Sequence, residues 1–204
     1  PTEGWNQIMT LPRRLTLIGH DELGIEPAGD VASLWRDPVH VGGMKLPANE
    51  EVTLESVRGK AMEIVAEIEP KDAPMVEMNV LRSPNCKEFT RIAFFKERGY
   101  RNRDHRTGPR YSLITIDSSY ASLSPDVLSR APETAPVAIE PDESLKLRVF
   151  IDRSVVEVFV NGKQCVALHV YPERKDSVGV SLRAQGRDAE LMSLDAWQME
   201  NIYE

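Results

Sequence analysis

The stretch "KLRVFIDRSVVEVFVNGKQCVALHVYP", residues 146–172, decides how the rest of the chain is read. It holds Asp152 and Glu157 close together, and paired carboxylates are what a glycosidase uses to cleave a sugar bond. The apolar residues around them argue for something else. Leu147, Val149 and Ile151 alternate along one face of an extended segment, and Val156, Val158 and Val160 along another. Asp152, Arg153 and Ser154 then fall at the reversal, where an Asp bonds its own turn backbone. Glu157 points away from Val156 and Val158. Asn161–Gly162 suits a type I′ turn, with both residues at positive φ, and leads into a third strand. The stretch reads as a three-stranded meander. Nothing in it raises one carboxyl pKa above the other or forms a cleft, so neither Asp152 nor Glu157 is assigned a catalytic role.

The same period of two runs outward through the chain. "RRLTLIG" (13–19), "EEVTLESVRGKAMEIVAEIEP" (50–70, two strands around Arg58–Gly59), "MVEMNVLRS" (75–83), "FTRIAFFKE" (89–97) and "RYSLITIDSSYASL" (110–123) read as strands. So do "LKLRVFID", "VVEVFVNG", "KQCVALHVYP", "SVGVSLRAQG" and "AELMSLDAWQM". Short strands broken by turns indicate a sandwich or barrel. Residues 124–143, rich in Pro and acids, read as a long surface loop. "AGDVASLWRD" (28–37) is the best helix candidate, with Asp30 as its cap and Pro38 as its stop.

The bulk numbers narrow the function classes. The chain has 204 residues, 41% hydrophobic and 28% charged, which suits a folded domain with a real core. A net charge of −7 argues against nucleic acid or an anionic membrane as the main partner. The longest apolar runs, such as "VVEVFV", are too short to span a bilayer. The chain starts at "PTEGW", without Met or a signal-like stretch, and reads as a mature or excised fragment. Cys86 and Cys165 are too few for a disulfide framework and read as two buried thiols in strand-like segments. The four His, at 20, 40, 105 and 169, are scattered and form no metal-ligand spacing. No residue is assigned to a metal or a cofactor.

"RVFIDRSVVEVFVNG" closely resembles the hairpin in the C-terminal β-sandwich of glycoside hydrolase family 32, the invertases, levanases, inulinases and fructosidases. "GWNQIMTLPRRLTL" (4–17) resembles the segment where that family's five-bladed propeller ends, and "LGIEPAGDVASLWR" (23–36) the linker after it. "ITIDSSYASL", "SVGVSLRAQG" and "MSLDAWQM" resemble later strands, in the family's order. The resemblance implies an all-β fold, a sandwich of antiparallel strands of the lectin-like jelly-roll kind, with a short linker helix near its start. It implies three segments: 1–17 as the end of a propeller, 18–45 as linker, 46–204 as sandwich. It also implies a secreted or periplasmic location.

What the resemblance implies for activity is negative. The family's nucleophile is an Asp in a W-[ML]-N-D-P-N motif and its acid/base a Glu in an E-C motif, and this chain has neither. It does contain Arg36–Asp37–Pro38, which matches a fructosyl-binding R-D-P motif. That tripeptide follows "GWNQIMTLPRR" instead of preceding it, so Asp37–Pro38 reads as a helix stop. The expected function is a non-catalytic module that packs on an upstream propeller and is inactive alone. Two alternatives stand beside it: a carbohydrate-binding module for levan or inulin, and an oligomerisation module that joins copies of the chain. An apolar patch near residues 1–36 would favour the first reading. Trp5, Trp35 and Trp197 are candidates for stacking on sugar or for packing, with Trp197 expected in the core. The basic run 98–106, around Tyr100, reads as a solvated loop.

Overall fold

The computed structural model describes residues 9–20, 22–100, 110–128, 130–140 and 142–202. Trp5, His105 and most of the basic run 98–106 lie outside them. The fold is an all-β sandwich of two antiparallel sheets with a small hairpin in front. The hairpin is β1 (Arg13–Ile18) and β2 (Glu22–Pro27). A single 3-10 turn, Val31–Leu34, leads into β3 (Trp35–Val41) and β4 (Met44–Leu46). Then follow β5 (Glu51–Arg58), β6 (Ala61–Glu69), β7 (Met75–Arg82), β8 (Thr90–Phe95) and β9 (Ser112–Asp117). The chain continues through β10 (Glu133–Val137), β11 (Leu145–Asp152), β12 (Val155–Val160), β13 (Gln164–His169), β14 (Gly179–Gln185) and β15 (Ala189–Met199).

One sheet runs β10-β9-β8-β7-β14-β5, the other β13-β12-β11-β6-β15-β3, with β4 also on β15. Their inner faces meet in one core. Met62, Ile64, Ala66 and Ile68 of β6 lie beside Val149, Ile151, Val156 and Val158 on the inner face of one sheet, and Met78, Ile92 and Ile114 come to the same core from the other. Alternation buries this set and sends the intervening residues to the outer faces. Burying some three dozen apolar side chains, each contributing about 1.5–3 kcal/mol, is the main force holding the two sheets together.

The meander forms as the sequence predicts. Asn161 and Gly162 both take positive φ, 51° and 63°, and Lys163 N donates to Val160 O at 2.9 Å. Asn161 adds a second role: its Oδ1 accepts from Lys146 N at 2.9 Å, tying the turn to β11. The other reversal differs from expectation. Among the described residues Asp152 makes no turn bond; Arg153 sits at φ 52° and its N–H donates to Lys60 O at 2.6 Å.

Three further features depart from the sequence reading. The helix expected over 28–37 is only the turn at 31–34, because the Asp30 side chain makes no cap bond. Trp35 is drawn instead into the β3–β15 ladder. Arg36–Asp37–Pro38 is therefore not a helix stop. Arg36 pairs with Gln198 and Val39 with Ala196, so Asp37 (φ 48°) and Pro38 bulge opposite the single residue Trp197. Proline is tolerated there because β3 is an edge strand. Finally, the loop 124–143 contains β10, an edge strand on β9 that carries Pro136. Cys86 lies half-buried in a turn, not in a strand, while Cys165 is buried in β13, and both thiols are free.

Candidate functional site

The outer face of the seven-stranded sheet carries the features that set this chain apart from a plain sandwich. Strand register lines up Ala167, Glu157, Phe150, Glu63 and Trp197 across five strands. Two of these are carboxylates almost without exposure: Glu157 at 2% and Glu63 at 0%. A buried charge is tolerable only when paired and hydrogen-bonded. Glu157 accepts Leu11 N at 2.9 Å, Arg13 Nε at 3.2 Å and Arg13 Nη2 at 2.9 Å. Glu63 accepts Trp35 Nε1 at 2.8 Å and Arg148 Nε. Leu11 and Arg13 reach Glu157 from the segment that lies outside the sheet, whereas Trp35 and Arg148 reach Glu63 from the sheet's own strands β3 and β11.

Around Glu157 lies a second, smaller apolar cluster of Phe150, Phe159 and Cys165, covered by Leu11, Ile25 and Val31. Phe150 meets Phe159 edge-on at 5.9 Å, and the Arg148 guanidinium lies 5.1 Å over the Phe150 ring. Burial, with the Glu157 charge beside it, pushes the Cys165 thiol up to about 12. The β1–β2 hairpin is fixed here by Ile25 N, which donates to Gly162 O at 2.7 Å. Trp35 and Trp197 stack at 4.0 Å and 11°, half-buried on the outer face. Trp197 is thus not the core residue that its strand pattern suggests; Leu194 and Ala196 fill the core instead.

Cross-strand pairing sets Leu17 against Leu23 and Leu15 against Ile25 on the hairpin. Ile25 reaches the small cluster, but Leu15, Leu17 and Leu23 are 61%, 67% and 53% exposed. In the sequence this strand resembles the end of an upstream propeller. The alternation in "RRLTLI" was the signal for a two-faced hairpin, and no pattern in the chain says which face stays open.

The carboxylates that first suggested chemistry do not assemble. Asp152 is exposed at one end of its hairpin, Glu157 is buried and fully bonded, and Asp37 is on the β3 bulge at the other edge of the sheet. Arg36 donates to Trp35 O at 2.7 Å and pairs with Glu200.

The architecture defines the chain as a β-sandwich domain with an anchored N-terminal hairpin. Residues 31–198 match the family model described as glycosyl hydrolases family 32 C terminal, and the chain belongs to that family. Among curated relatives it is 33% identical over 128 residues to an insoluble beta-fructofuranosidase isoenzyme of Arabidopsis thaliana, covering 60% of this chain and 21% of that protein. It is 26% identical over 209 residues to a levanase of Bacillus subtilis, covering all of this chain and 29% of that protein. In fold it is similar to fructan 1-exohydrolase IIa from Cichorium intybus, with TM-score 0.81 and 18% identity over 94% of this chain and 41% of that one. Exo-inulinase from Aspergillus awamori superposes with TM-score 0.74 at 20% identity, over 98% and 37% of the two chains. The chain therefore spans between about a fifth and two-fifths of the length of these proteins.

Proposed function

We propose that this chain is the non-catalytic C-terminal β-sandwich of a hydrolase that cleaves fructan or sucrose, and that it packs on an upstream catalytic propeller and stabilises it. The observation that carries this reading is the leucine face of the β1–β2 hairpin. Leu15, Leu17 and Leu23 stand mostly exposed on an element that a part-buried ion pair and the Ile25 N to Gly162 O bond tie to the sandwich. An anchored apolar face of this kind marks a docking surface, because covering it removes apolar area from water at about 25 cal/mol per Å². The levanase and fructofuranosidases similar to this chain are several times its length, which leaves room for a catalytic domain beside it.

The test is to mix the chain with its cognate propeller, expressed separately, and follow propeller melting. The melting temperature rises on mixing, and Leu15→Ser with Leu17→Ser abolishes the rise while the sandwich melts as before. A propeller that melts unchanged in the presence of the parent chain overturns the reading. Dimers of the chain that the same two substitutions dissolve would assign the face to a second copy instead.

A further inference from the structure

The Asn161–Gly162 turn that closes β12 on β13 also holds a reactive side chain. Asn161 is the one asparagine of seven in the chain that is followed by glycine. The main-chain nitrogen of the next residue attacks an asparagine side chain, and a Cβ on that residue hinders the approach. Glycine has none. Among the described residues the Gly162 N–H donates to nothing, so the attacking nitrogen is not tied down. Both residues are half-buried, and the turn stands at the end of its strands where water reaches it.

The fold grips the side chain at three points. Oδ1 accepts from Lys146 N at 2.9 Å, and Nδ2 donates to Ser144 O at 2.8 Å and to Glu143 Oε1 at 2.9 Å. These partners lie at the start of β11 or just before it, so the carboxamide is turned across the strand pair toward residues 143–146. Lys146 N and Ser144 O are main-chain groups. Glu143 is a side chain on a loop, 28% exposed, and is held in turn by Lys163 Nζ at 3.0 Å. It is the part of the grip that opens most easily. The same turn fastens the β1–β2 hairpin: Gly162 O accepts Ile25 N at 2.7 Å, and Lys163 Nζ lies 4.0 Å from Glu22.

We propose that Asn161 is a site of spontaneous deamidation, guarded by Glu143, and that the modification unfastens the β1–β2 hairpin from the sandwich. The reaction needs only water. Gly162 N bonds to Asn161 Cγ as the Cγ–Nδ2 bond breaks, and Nδ2 leaves as ammonia with the Gly162 amide proton. Water then opens the five-membered imide at one of its two carbonyls. Opening at Cγ leaves aspartate. Opening at the main-chain carbonyl leaves isoaspartate, with one more atom in the main chain. Aspartate puts a carboxylate where Nδ2 donated, facing the Ser144 carbonyl and the Glu143 carboxylate, so two bonds are lost and a like charge is met. Isoaspartate lengthens a turn closed by Lys163 N on Val160 O at 2.9 Å, and so moves Gly162 O away from Ile25 N. The inference concerns how the hairpin is fastened and does not rest on what its leucine face meets.

The experiment incubates the chain at mildly alkaline pH and follows amide-to-acid conversion at each asparagine by peptide mass spectrometry. Asn161 converts ahead of the other asparagines. Glu143→Ala speeds its conversion at least about tenfold, the effect of losing one charge-assisted hydrogen bond from the closed form. Glu143→Gln, which keeps an acceptor at Oε1, stays near the parent rate. In concentrated urea the parent and Glu143→Ala convert alike, because the grip is gone from both. The converted chain, separated by ion exchange, is alkylated at Cys165 faster than the parent, since Ile25 no longer covers the cluster that holds this thiol. Conversion that begins at another asparagine overturns the proposal, as does a converted chain whose Cys165 reacts at the parent rate. Both of these readouts use the parent sequence and stand even where a variant fails to fold. A folded Glu143→Ala that converts no faster than the parent also overturns it. All are taken on the chain alone, so a failed propeller-docking test leaves them untouched.

Discussion

Arg13 and Glu157, 144 residues apart, form an ion pair at 2.9 Å in which the carboxylate is 2% exposed and the guanidinium side chain 33%. The pair joins the hairpin to the centre of the meander. Arg13→Ala leaves Glu157 buried with only Leu11 N and the Cys165 thiol beside it, and costs about 2–3 kcal/mol. Detachment of the hairpin also uncovers Cys165, so alkylation of that thiol at pH 8 accelerates in the variant. Unchanged alkylation would show that the hairpin is held by other contacts.

Val158→Asp prevents folding. Val158 is 0% exposed in the main core, and an unpaired charge there costs several kcal/mol against a whole-domain stability of about 5–15 kcal/mol. Soluble expression with a cooperative melt near that of the parent chain would refute the core assignment.

Glu88 is fully buried and accepts Leu123 N at 3.1 Å, Glu173 N at 2.9 Å, Arg174 N at 3.1 Å and Ser177 Oγ. It ties two distant loops to its own turn. Glu88→Ala strands four donors and lowers stability by about 3 kcal/mol, measured by urea unfolding. A loss under about 1 kcal/mol would mean that water replaces the carboxylate.

Acid stability follows the Arg82–Glu51 pair. The Arg82 hydrogen bond, helped by Ser181 against the opposing effect of burial, holds the Glu51 carboxyl at about 2, below its ordinary 4.5. The folded form thus binds the proton less readily than the unfolded one. The contribution is complete above about pH 4.5 and is lost as pH falls toward 2. In Glu51→Gln the loss of stability between those pH values is shallower than in the parent, and an identical slope would disprove the assignment.

Hydrolysis of sucrose, inulin or levan by the chain alone is not expected. Retaining cleavage needs two carboxyls about 5–5.5 Å apart with one pKa raised. Asp152 is exposed at a turn, Glu157 is saturated with donors, and Asp37 stands on another edge of the sheet. Fructose release that disappears in Asp152→Asn, Glu157→Gln or Asp37→Asn would restore an active site here.

The strands were legible wherever β-branched residues alternate, as in β6, β11 and β12, because their period of two has no helical reading. β10 was hidden because "ETAPV" is short, half polar and interrupted by Pro136, features that an edge strand accepts and a sequence pattern does not reveal. The 28–37 segment misled because "DVASLW" carries helical spacing, while the ladder to β15 that extends it is made with residues 160 positions away. The outer faces were the least legible. Alternation says that Glu63, Glu77 and Glu157 leave the core; it does not say that Arg13, Trp35 and Arg148 come to meet two of them.

Glu157 and Glu63 lie in one cross-strand row, two strand spacings apart, about 9–10 Å. Arg13, the first residue of the hairpin, grips the first, and Trp35, after it, grips the second. The segment between is therefore pinned at both ends to fixed points on a rigid lattice. A one-residue slip of β12 or β6 would turn its carboxylate inward, so the strand register and the pose of the N-terminal segment are locked together. The sheet works as a two-point mount: whatever precedes Arg13 inherits a direction, not merely a tether.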